Sequence, residues 1–199
     1  MPKSTFFRLN EEKRSKIDEA LIKEFNRVSF ERASISNIVK EAKIPRGSFY
    51  QYFEDKEDAI NYIIKKVITV EYEKVYSIMK EKNGDIFEAF LCLYDYSIQE
   101  TIVNNNYKLV RNILLELRKR NINILNYDKK MIEDIIKLIN IDNLKIETED
   151  DLFYVLKMLI IIIRTIVIEV VSKNKTIEKG KKDIIKMFEL LKIGIKNNI

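Results

Sequence analysis

The sequence predicts an all-α fold, and three observations support this prediction. The 199 residues include only four glycines and two prolines, too few for the many turns of a sandwich or a barrel. Apolar residues recur mainly at spacings of three and four, as they do along one face of an α-helix. A content of 46% hydrophobic and 34% charged residues indicates an ordered, soluble chain of one or two domains.

The N-terminal end predicts an arm followed by one helix. Residues 1–9 form a short, basic segment. We expect this segment to be a mobile arm, whose Lys3 and Arg8 either contact phosphates or remain solvated. A helix is predicted from about Asn10 to Val28. Its apolar stripe comprises Ile17, Ala20, Leu21, Phe25 and Val28.

Residues 34–56 predict two short helices joined by a tight turn. Ser34 is a candidate N-cap, since its hydroxyl can accept a hydrogen bond from a backbone N–H of the first turn. Lys43 is the predicted turn residue. Pro45 suits the start of the second helix, where a missing N–H is tolerated. The first helix buries one face, which comprises Ile35, Ile38, Val39 and Ala42.

The second short helix carries an unusual surface. Its apolar side is thin, with Phe49 and Phe53 only, and the remaining side chains are long donors or aromatic rings: Arg46, Ser48, Tyr50, Gln51 and Tyr52. A recognition helix needs groups that reach phosphates and base edges. The pattern therefore favours a DNA-binding helix-turn-helix.

The string Gly47-Ser48-Phe49-Tyr50-x-Tyr52-Phe53-x-x-Lys56 resembles the DNA-binding domain of the TetR/AcrR family of bacterial transcriptional regulators. The resemblance covers roughly the first 70 residues and includes the first-helix stripe and Phe30. Members usually have glycine where Ser29 and Lys43 stand. A left-handed residue with a Cβ costs about 1–2 kcal/mol, so we expect the turn to persist with some strain at Lys43.

The resemblance implies a domain organisation and a function. Residues 1–55, extending to about 71 with the connecting helix, would form a three-helix DNA-binding head, and residues 56–199 a helical ligand-binding and dimerisation body, with about nine helices in all. The protein would be a homodimeric, ligand-responsive repressor of a palindromic operator, without a cofactor, a metal or enzymatic activity. The alternative is a helical adaptor that binds proteins and not DNA.

The resemblance also assigns roles to matched positions. Phosphate contacts would come from Ser34, Ser48, Tyr50, Tyr52 and Lys56. Base edges would be approached by Ser36, Asn37, Arg46 and Gln51, with Pro45 and Gly47 allowing close approach. Arg46 is the strongest candidate for base readout, because arginine pairs with guanine in bidentate fashion; the alternative for Arg46 is one more phosphate contact.

The body is predicted to contain six helices. A long helix from Lys56 to about Lys82 resembles the one that transmits ligand binding to the head, and Asn83-Gly84 ends it. Helices follow over 85–103, which Asp85 opens, and over 107–120. The latter ends in Arg118-Lys119-Arg120, where cations either suit the helix C-terminus or bind an anion. A further helix is predicted over 128–141.

The last two helices, over 148–173 and 177–196, carry excess apolar surface. The first opens with a Thr148–Asp151 capping box and is apolar nearly all round, but Lys157, Arg164 and Glu169 argue against a membrane span. The two fit a four-helix dimer interface, with burial inside a monomer as the alternative. The candidate interface residues are Leu159, Ile163, Ile166, Ile184, Phe188, Leu191 and Ile195.

The effector site is predicted from aromatic residues of the body. The prediction is that they line an apolar pocket for a lipophilic small molecule, and the alternative is that they are core: Tyr72, Tyr76, Phe90, Tyr94, Tyr107, Phe153 and Tyr154.

Composition narrows the function classes further. The sequence has no histidine and a single cysteine, Cys92, which disfavours histidine triads, disulfides and cysteine-rich zinc sites. A signal peptide is not apparent, so a cytoplasmic location is expected. The net charge is +5, and residues 1–53 hold 11 basic against 7 acidic side chains, a net +4. This excess in the candidate head favours a phosphate backbone.

Overall fold

The computed structural model describes residues 1–103, 106–122, 129–142 and 144–195. Within these ranges the chain folds into ten α-helices, which confirms the all-α prediction. They are α1 (Ser4–Phe7), α2 (Glu11–Arg27), α3 (Ile35–Glu41), α4 (Arg46–Tyr52), α5 (Lys56–Glu81), α6 (Ile86–Ile98), α7 (Tyr107–Lys119), α8 (Lys129–Ile136), α9 (Glu149–Val171) and α10 (Ile177–Ile195). The helix beyond the nine expected is α1, in the segment predicted to be a mobile arm. No helix in the described ranges is long and apolar enough to cross a membrane.

The chain divides into two compact units. Unit 1 comprises Met1–Tyr72 and Asn106–Tyr127, and unit 2 comprises Glu73–Asn105 and Asp128–Ile199. The first segment of unit 1 ends close to residue 71, to which the head with its connecting helix was predicted to extend. The difference is α7, which was assigned to the body and packs with the head. α7 packs in unit 1 because its apolar side chains Leu109, Ile113 and Leu117 belong to the core of that unit.

Polar contacts also hold α7 in unit 1. The Asn112 side-chain amide is buried and donates to the carbonyls of Phe25 and Val28, both at 2.8 Å. These carbonyls lie at the end of α2, where a helix leaves its last carbonyls without intrahelical partners. One asparagine thus satisfies two of them.

The basic cluster at the end of α7 also attaches this helix to unit 1. Lys119 pairs with Glu31 at 3.0 Å, and Arg120 contacts Glu116 at 2.8 Å, the Asn61 amide oxygen at 2.5 Å and Glu57. Two of the three predicted capping cations therefore bind side chains of unit 1. They neither cap α7 nor form a free anion site.

Unit 2 is built on α6, α9 and α10. Phe87 of α6 meets Phe188 of α10 edge to face, with ring centroids 5.6 Å apart. The Tyr94 hydroxyl donates to the Ile177 carbonyl at 2.9 Å. A Cβ built at Gly180 would lie 2.5 Å from that hydroxyl and 2.9 Å from Ile166, so the absent side chain lets α10 approach its neighbours closely.

Several helix ends agree with the sequence. Asp85 accepts from the N–H groups of Phe87 and Glu88, and Thr148 and Asp151 form the predicted capping box. Asn83 and Gly84 end α5 with positive φ values of 51° and 78°. One difference is that the helix predicted to reach residue 103 ends at Ile98 and continues as a π-helical turn over Gln99–Val103.

Candidate nucleic-acid interface

The turn between α3 and α4 has the predicted left-handed residue. Lys43 has φ 54°, and the Ile44 N–H donates back to the Val39 carbonyl at 3.0 Å, as in a Schellman motif. This confirms Lys43 as the turn position. Ser29, the second place where a glycine is usual, has φ −61° and therefore carries no left-handed cost.

The start of α3 is held by a residue that the sequence reasoning missed. Ser34 makes no side-chain cap, contrary to expectation; instead its N–H donates to Glu24 at 2.8 Å. Glu24 is buried on α2 and also accepts two bonds of 2.8 Å from Arg27 and a longer one from Asn37. A carboxylate between Leu21 and Phe25 on an apolar face was the signal available in the sequence.

Electrostatics at Glu24 favour its ionised form. Burial of the carboxylate opposes ionisation, but the hydrogen bonds from Arg27, the Ser34 N–H and Asn37 outweigh it and lower the pKa of Glu24 below its ordinary value. A carboxylate that accepts several hydrogen bonds is stabilised in this way. Glu24 therefore fixes α3 relative to α2.

Seven of the predicted DNA-facing residues lie together on the exposed side of α3, the turn and α4. They are Ser36, Asn37, Pro45, Arg46, Gly47, Tyr50 and Gln51. The Arg46 guanidinium donates to the Ser36 hydroxyl at 2.8 Å, which joins the two helices at this surface. A Cβ at Gly47 would meet no atom within 4 Å, so packing against the described residues does not explain this helical glycine.

The other four predicted contacts are less available. Ser34, Ser48 and Lys56 are half-buried, and the Lys56 ammonium already donates to the carbonyls of Glu31 at 2.8 Å and Ala33 at 3.2 Å. The ring of Tyr52 is buried in the core of unit 1. The structure thus corrects the prediction that Tyr52 lies on the surface of α4, since the residue is only 5% exposed, and its contact with a phosphate stays a prediction.

The N-terminal segment is docked on the recognition helix. Lys3 donates from its backbone N–H to the Tyr52 carbonyl and from its ammonium to the Tyr50 carbonyl, both at 2.8 Å, and the Thr5 hydroxyl donates to the Gln51 carbonyl. Phe6 is fully buried, 5.1 Å from the Phe53 ring. The last carbonyls of α4 are therefore satisfied by residues 3–5, and the expected mobile arm is wrong for this segment.

The seven aromatic residues of the predicted ligand site are divided between the two units. Tyr72 and Tyr107 belong to unit 1 and the other five to unit 2. Phe90 and Tyr94 are buried in the core of unit 2, as the alternative interpretation of these aromatic residues expects, and their contact with a ligand stays a prediction. Tyr154 is exposed, Phe153 contacts it edge to face, and Tyr76 lies under the Lys80 ammonium.

The predicted dimer residues are also corrected. Five of them are buried inside unit 2 and cannot form a surface: Leu159, Ile163, Ile166, Ile184 and Phe188. Leu191 is half-buried, and the side chain of Ile195 lies outside the described residues. The physical reason is the shared helical period, because a pattern apolar all round does not tell which stripe faces the core.

Comparisons with known proteins agree with this architecture. A family profile described as "Bacterial regulatory proteins, tetR family" matches residues 17–63, and one described as "Tetracyclin repressor-like, C-terminal domain" matches residues 85–195. An HTH-type transcriptional regulator of Staphylococcus aureus strain bovine RF122 is 30% identical over 93 residues, which are 47% of this chain and 50% of that protein. The chain thus spans about half the length of the curated relatives it matches.

Solved structures share the fold over nearly the whole chain. A TetR family transcriptional regulator from Chloroflexus aurantiacus covers 100% of both chains at 22% identity with a TM-score of 0.53. SmeT, the repressor of the Stenotrophomonas maltophilia multidrug efflux pump SmeDEF, covers 97% of this chain and 93% of its own, at 12% identity and a TM-score of 0.62. The C-terminal profile alone covers more than half of the 199 residues, and the chain belongs to the TetR family of bacterial transcriptional regulators.

Proposed function

We propose that this protein is a sequence-specific DNA-binding repressor that acts as a homodimer on a palindromic operator and responds to a small, lipophilic effector. The observation that carries the proposal is the exposed face of α3 and α4, where Ser36, Arg46 and Gln51 project over a fully buried core. Such a face offers donors and acceptors for base edges in a major groove. Its target, chromosomal DNA, would place the protein in the cytoplasm.

Two features of unit 1 support readout by α4. The Ser36 hydroxyl holds the Arg46 guanidinium at 2.8 Å, so the donor fork is oriented before DNA arrives. Gly47 is exposed in a helix, where glycine is unfavourable by about 1 kcal/mol relative to alanine. Close approach of a DNA backbone would explain that glycine, since the protein itself gives it no reason.

An apolar surface of unit 2 supports assembly into a dimer. Tyr154, Ile161 and Ile168 recur every seven residues along α9 and are 58%, 54% and 52% exposed. Leu190 and Ile193 on α10 are 58% and 75% exposed. Water disfavours such surface, and pairing with the same surface of a second copy would cover it.

The experiment that tests the proposal is genomic footprinting with the full chain, followed by binding to the palindrome it recovers. The logarithm of the affinity for that palindrome should fall linearly with the logarithm of salt concentration. Arg46→Ala should relax preference at one operator position at a cost of about 1–3 kcal/mol. A uniform loss on every sequence would reassign Arg46 to the phosphate backbone, and the absence of any DNA binding would favour a protein-binding adaptor.

A further inference from the structure

Arg164 stands out on α9 because its surroundings on that helix are apolar. Residues three and four positions away lie beside it on the helix surface, and all four are aliphatic: Ile160, Ile161, Val167 and Ile168. Ile160 and Val167 pack against the core of unit 2, and Arg164 itself is half-buried. Helical spacing therefore gives the guanidinium no carboxylate.

No protein group within the described residues compensates this charge. Arg27, Arg46 and Arg120 each donate to a carboxylate or a hydroxyl, whereas Arg164 takes part in no hydrogen bond or ion pair among the described residues. Burial lowers the pKa of the Arg164 guanidinium, with no acidic group acting against it. Arg164 is half-buried, and a partly desolvated cation without a partner is stabilised by a bound anion.

The chemistry around Arg164 restricts the class of anion that would bind there. A guanidinium presents a planar fork of donors that matches the two oxygens of a carboxylate or a phosphate. Ile160 and Val167, the aliphatic neighbours of Arg164 that pack against the core of unit 2, favour a ligand whose anionic head is attached to an apolar body. Inorganic ions would leave those apolar contacts unused.

We propose that Arg164 anchors an organic anion, a carboxylate or a phosphate ester with an apolar body, and that such a compound is the effector of this regulator. The second half of this statement rests on the proposed function, whereas the binding of the anion does not. The alternative partner is a carboxylate from a second copy of the chain. Three carboxylates on α9 and α10 already have partners within the chain. Glu169 and Asp183 pair with Lys175, and Glu189 pairs with Lys186.

The direct test is calorimetric titration of the full chain with decanoate, decyl phosphate and the neutral decanol, all below micelle-forming concentrations. At least one anion should bind about tenfold or more tightly than decanol, since hydrogen bonds to charged groups contribute that much. Arg164→Met should remove this advantage and leave decanol binding unchanged. The control is Lys157→Met, the same loss of charge seven residues earlier at an exposed position of α9, which should stay within about twofold.

Decanoate alone binding through Arg164 would assign a carboxylate, and decyl phosphate alone a phosphate. If neither anion binds, or if Arg164→Met leaves their affinities unchanged, the anion site is wrong. Thermal unfolding and sedimentation of the free protein distinguish the proposed anion from the alternative partner, a carboxylate of a second copy. Arg164→Met should raise the melting temperature and stay dimeric, because it removes an uncompensated charge. A lower melting temperature with dissociation would show that a second copy pairs with Arg164, and would overturn the proposal.

The effector assignment has its own readout, the affinity of the wild-type protein for the recovered operator with and without the bound anion. Release of the DNA by the anion in wild type, but not in Arg164→Met, would support it. An anion that binds through Arg164 and leaves DNA affinity unchanged would overturn the effector assignment. A free wild-type protein that never binds DNA would instead contradict the proposed function and leave the anion site standing.

Discussion

Glu24 fixes the start of α3, which carries candidate base-readout residues. It is 4% exposed and joins Arg27 of α2 to the Ser34 N–H and the Asn37 amide at the start of α3. Because Asn37 is itself a candidate for base readout, the same carboxylate that fixes α3 also orients a readout side chain. Stability and readout are therefore linked at one buried group.

Glu24→Gln should destabilise the protein by about 2 kcal/mol, since an amide cannot reproduce the charge-assisted bonds and leaves a buried donor unsatisfied. Chemical denaturation at pH 7 measures this, with Glu19→Gln as the exposed control on α2. The folded pKa of Glu24 is depressed, so its contribution is complete above the ordinary value of 4.5 and is lost as the pH falls through the folded pKa. The difference between wild type and Glu24→Gln should therefore shrink below pH 4.5; a difference that grows there would contradict this.

Left-handed residues other than glycine recur at the helix ends of this glycine-poor chain. Lys43, Asn83, Asn121 and Lys173 all have φ between 51° and 59°. In each case the N–H of the next residue donates five residues back, as in a Schellman motif. The helix ends thus keep their geometry and carry a small conformational cost at the left-handed position.

Lys43→Gly should accordingly stabilise the protein by roughly 1 kcal/mol or less, since glycine adopts this conformation without a steric penalty. Lys40→Gly, three residues earlier within α3, should have the opposite sign and cost about 1 kcal/mol. Thermal unfolding of the two variants checks the pair. Two losses of similar size would mean that the strain at Lys43 is already relieved.

At the scale of elements, α1 completes α4. Residues 3–5 occupy the carbonyls of the last turn of α4, and Phe6 enters the aromatic cluster beneath it. A seven-residue recognition helix has too few internal hydrogen bonds to be stable alone. Its C-terminal end is therefore held from outside, by the beginning of the chain.

Phe6→Ala should cost about 3–5 kcal/mol, the usual loss for a fully buried phenylalanine. Phe7→Ala is the matched comparison, because Phe7 is adjacent in sequence and 50% exposed. It loses an edge-to-face contact with the Phe6 ring, so its cost should be smaller, about 0.5–1.5 kcal/mol. Denaturant midpoints of both variants decide the matter. Equal and small effects would mean that the segment is mobile in solution.

Local signals explain what the sequence analysis predicted correctly. The caps at Asp85 and Thr148 and the turn at Lys43 depend on residues within about one helical turn, so the pattern contains them. The contacts of Asn112 with Phe25 and of Lys3 with Tyr50 span 87 and 47 residues, and no local pattern encodes them. The exposure of seven candidate DNA-contacting residues could be predicted because it follows from side-chain type within α3, the turn and α4, whereas their contacts with DNA stay predictions.

The two stripes of α9 show the limit of periodicity most clearly. Ile163 and Ile166 face the core, whereas Ile161 and Ile168 are exposed, although both pairs are aliphatic and lie within eight residues. Which stripe turns inward is set by α6 and α10, and Gly180 permits the close approach of α10 at Ile166. That α9 forms part of a dimer interface stays a prediction, but the candidate residues on this helix are now Tyr154, Ile161 and Ile168.

At the scale of the whole molecule, the proposed operator binding requires two heads at a fixed separation. Two recognition helices reach successive major grooves only about 34 Å apart or a multiple of that distance. A single chain carries one such helix, so a second copy has to supply the other. The exposed apolar residues of α9 and α10 are the surface that would bring it.

Ile161→Glu combined with Leu190→Glu should therefore yield monomers that remain folded, because both side chains are more than half exposed in the single chain, and two buried carboxylates would oppose association. Sedimentation at micromolar concentration measures the assembly and operator binding measures its consequence, which should be a large loss of affinity.

Leu115→Glu combined with Ile141→Glu adds the same charge at exposed apolar positions elsewhere and should leave the dimer intact. Ile184→Glu, by contrast, places a carboxylate in the core of unit 2 and should unfold it. A wild-type protein that is monomeric, or an Ile161→Glu, Leu190→Glu double variant that stays dimeric, would refute this interface, and a monomer that binds the palindrome as tightly as wild type would refute the need for two heads.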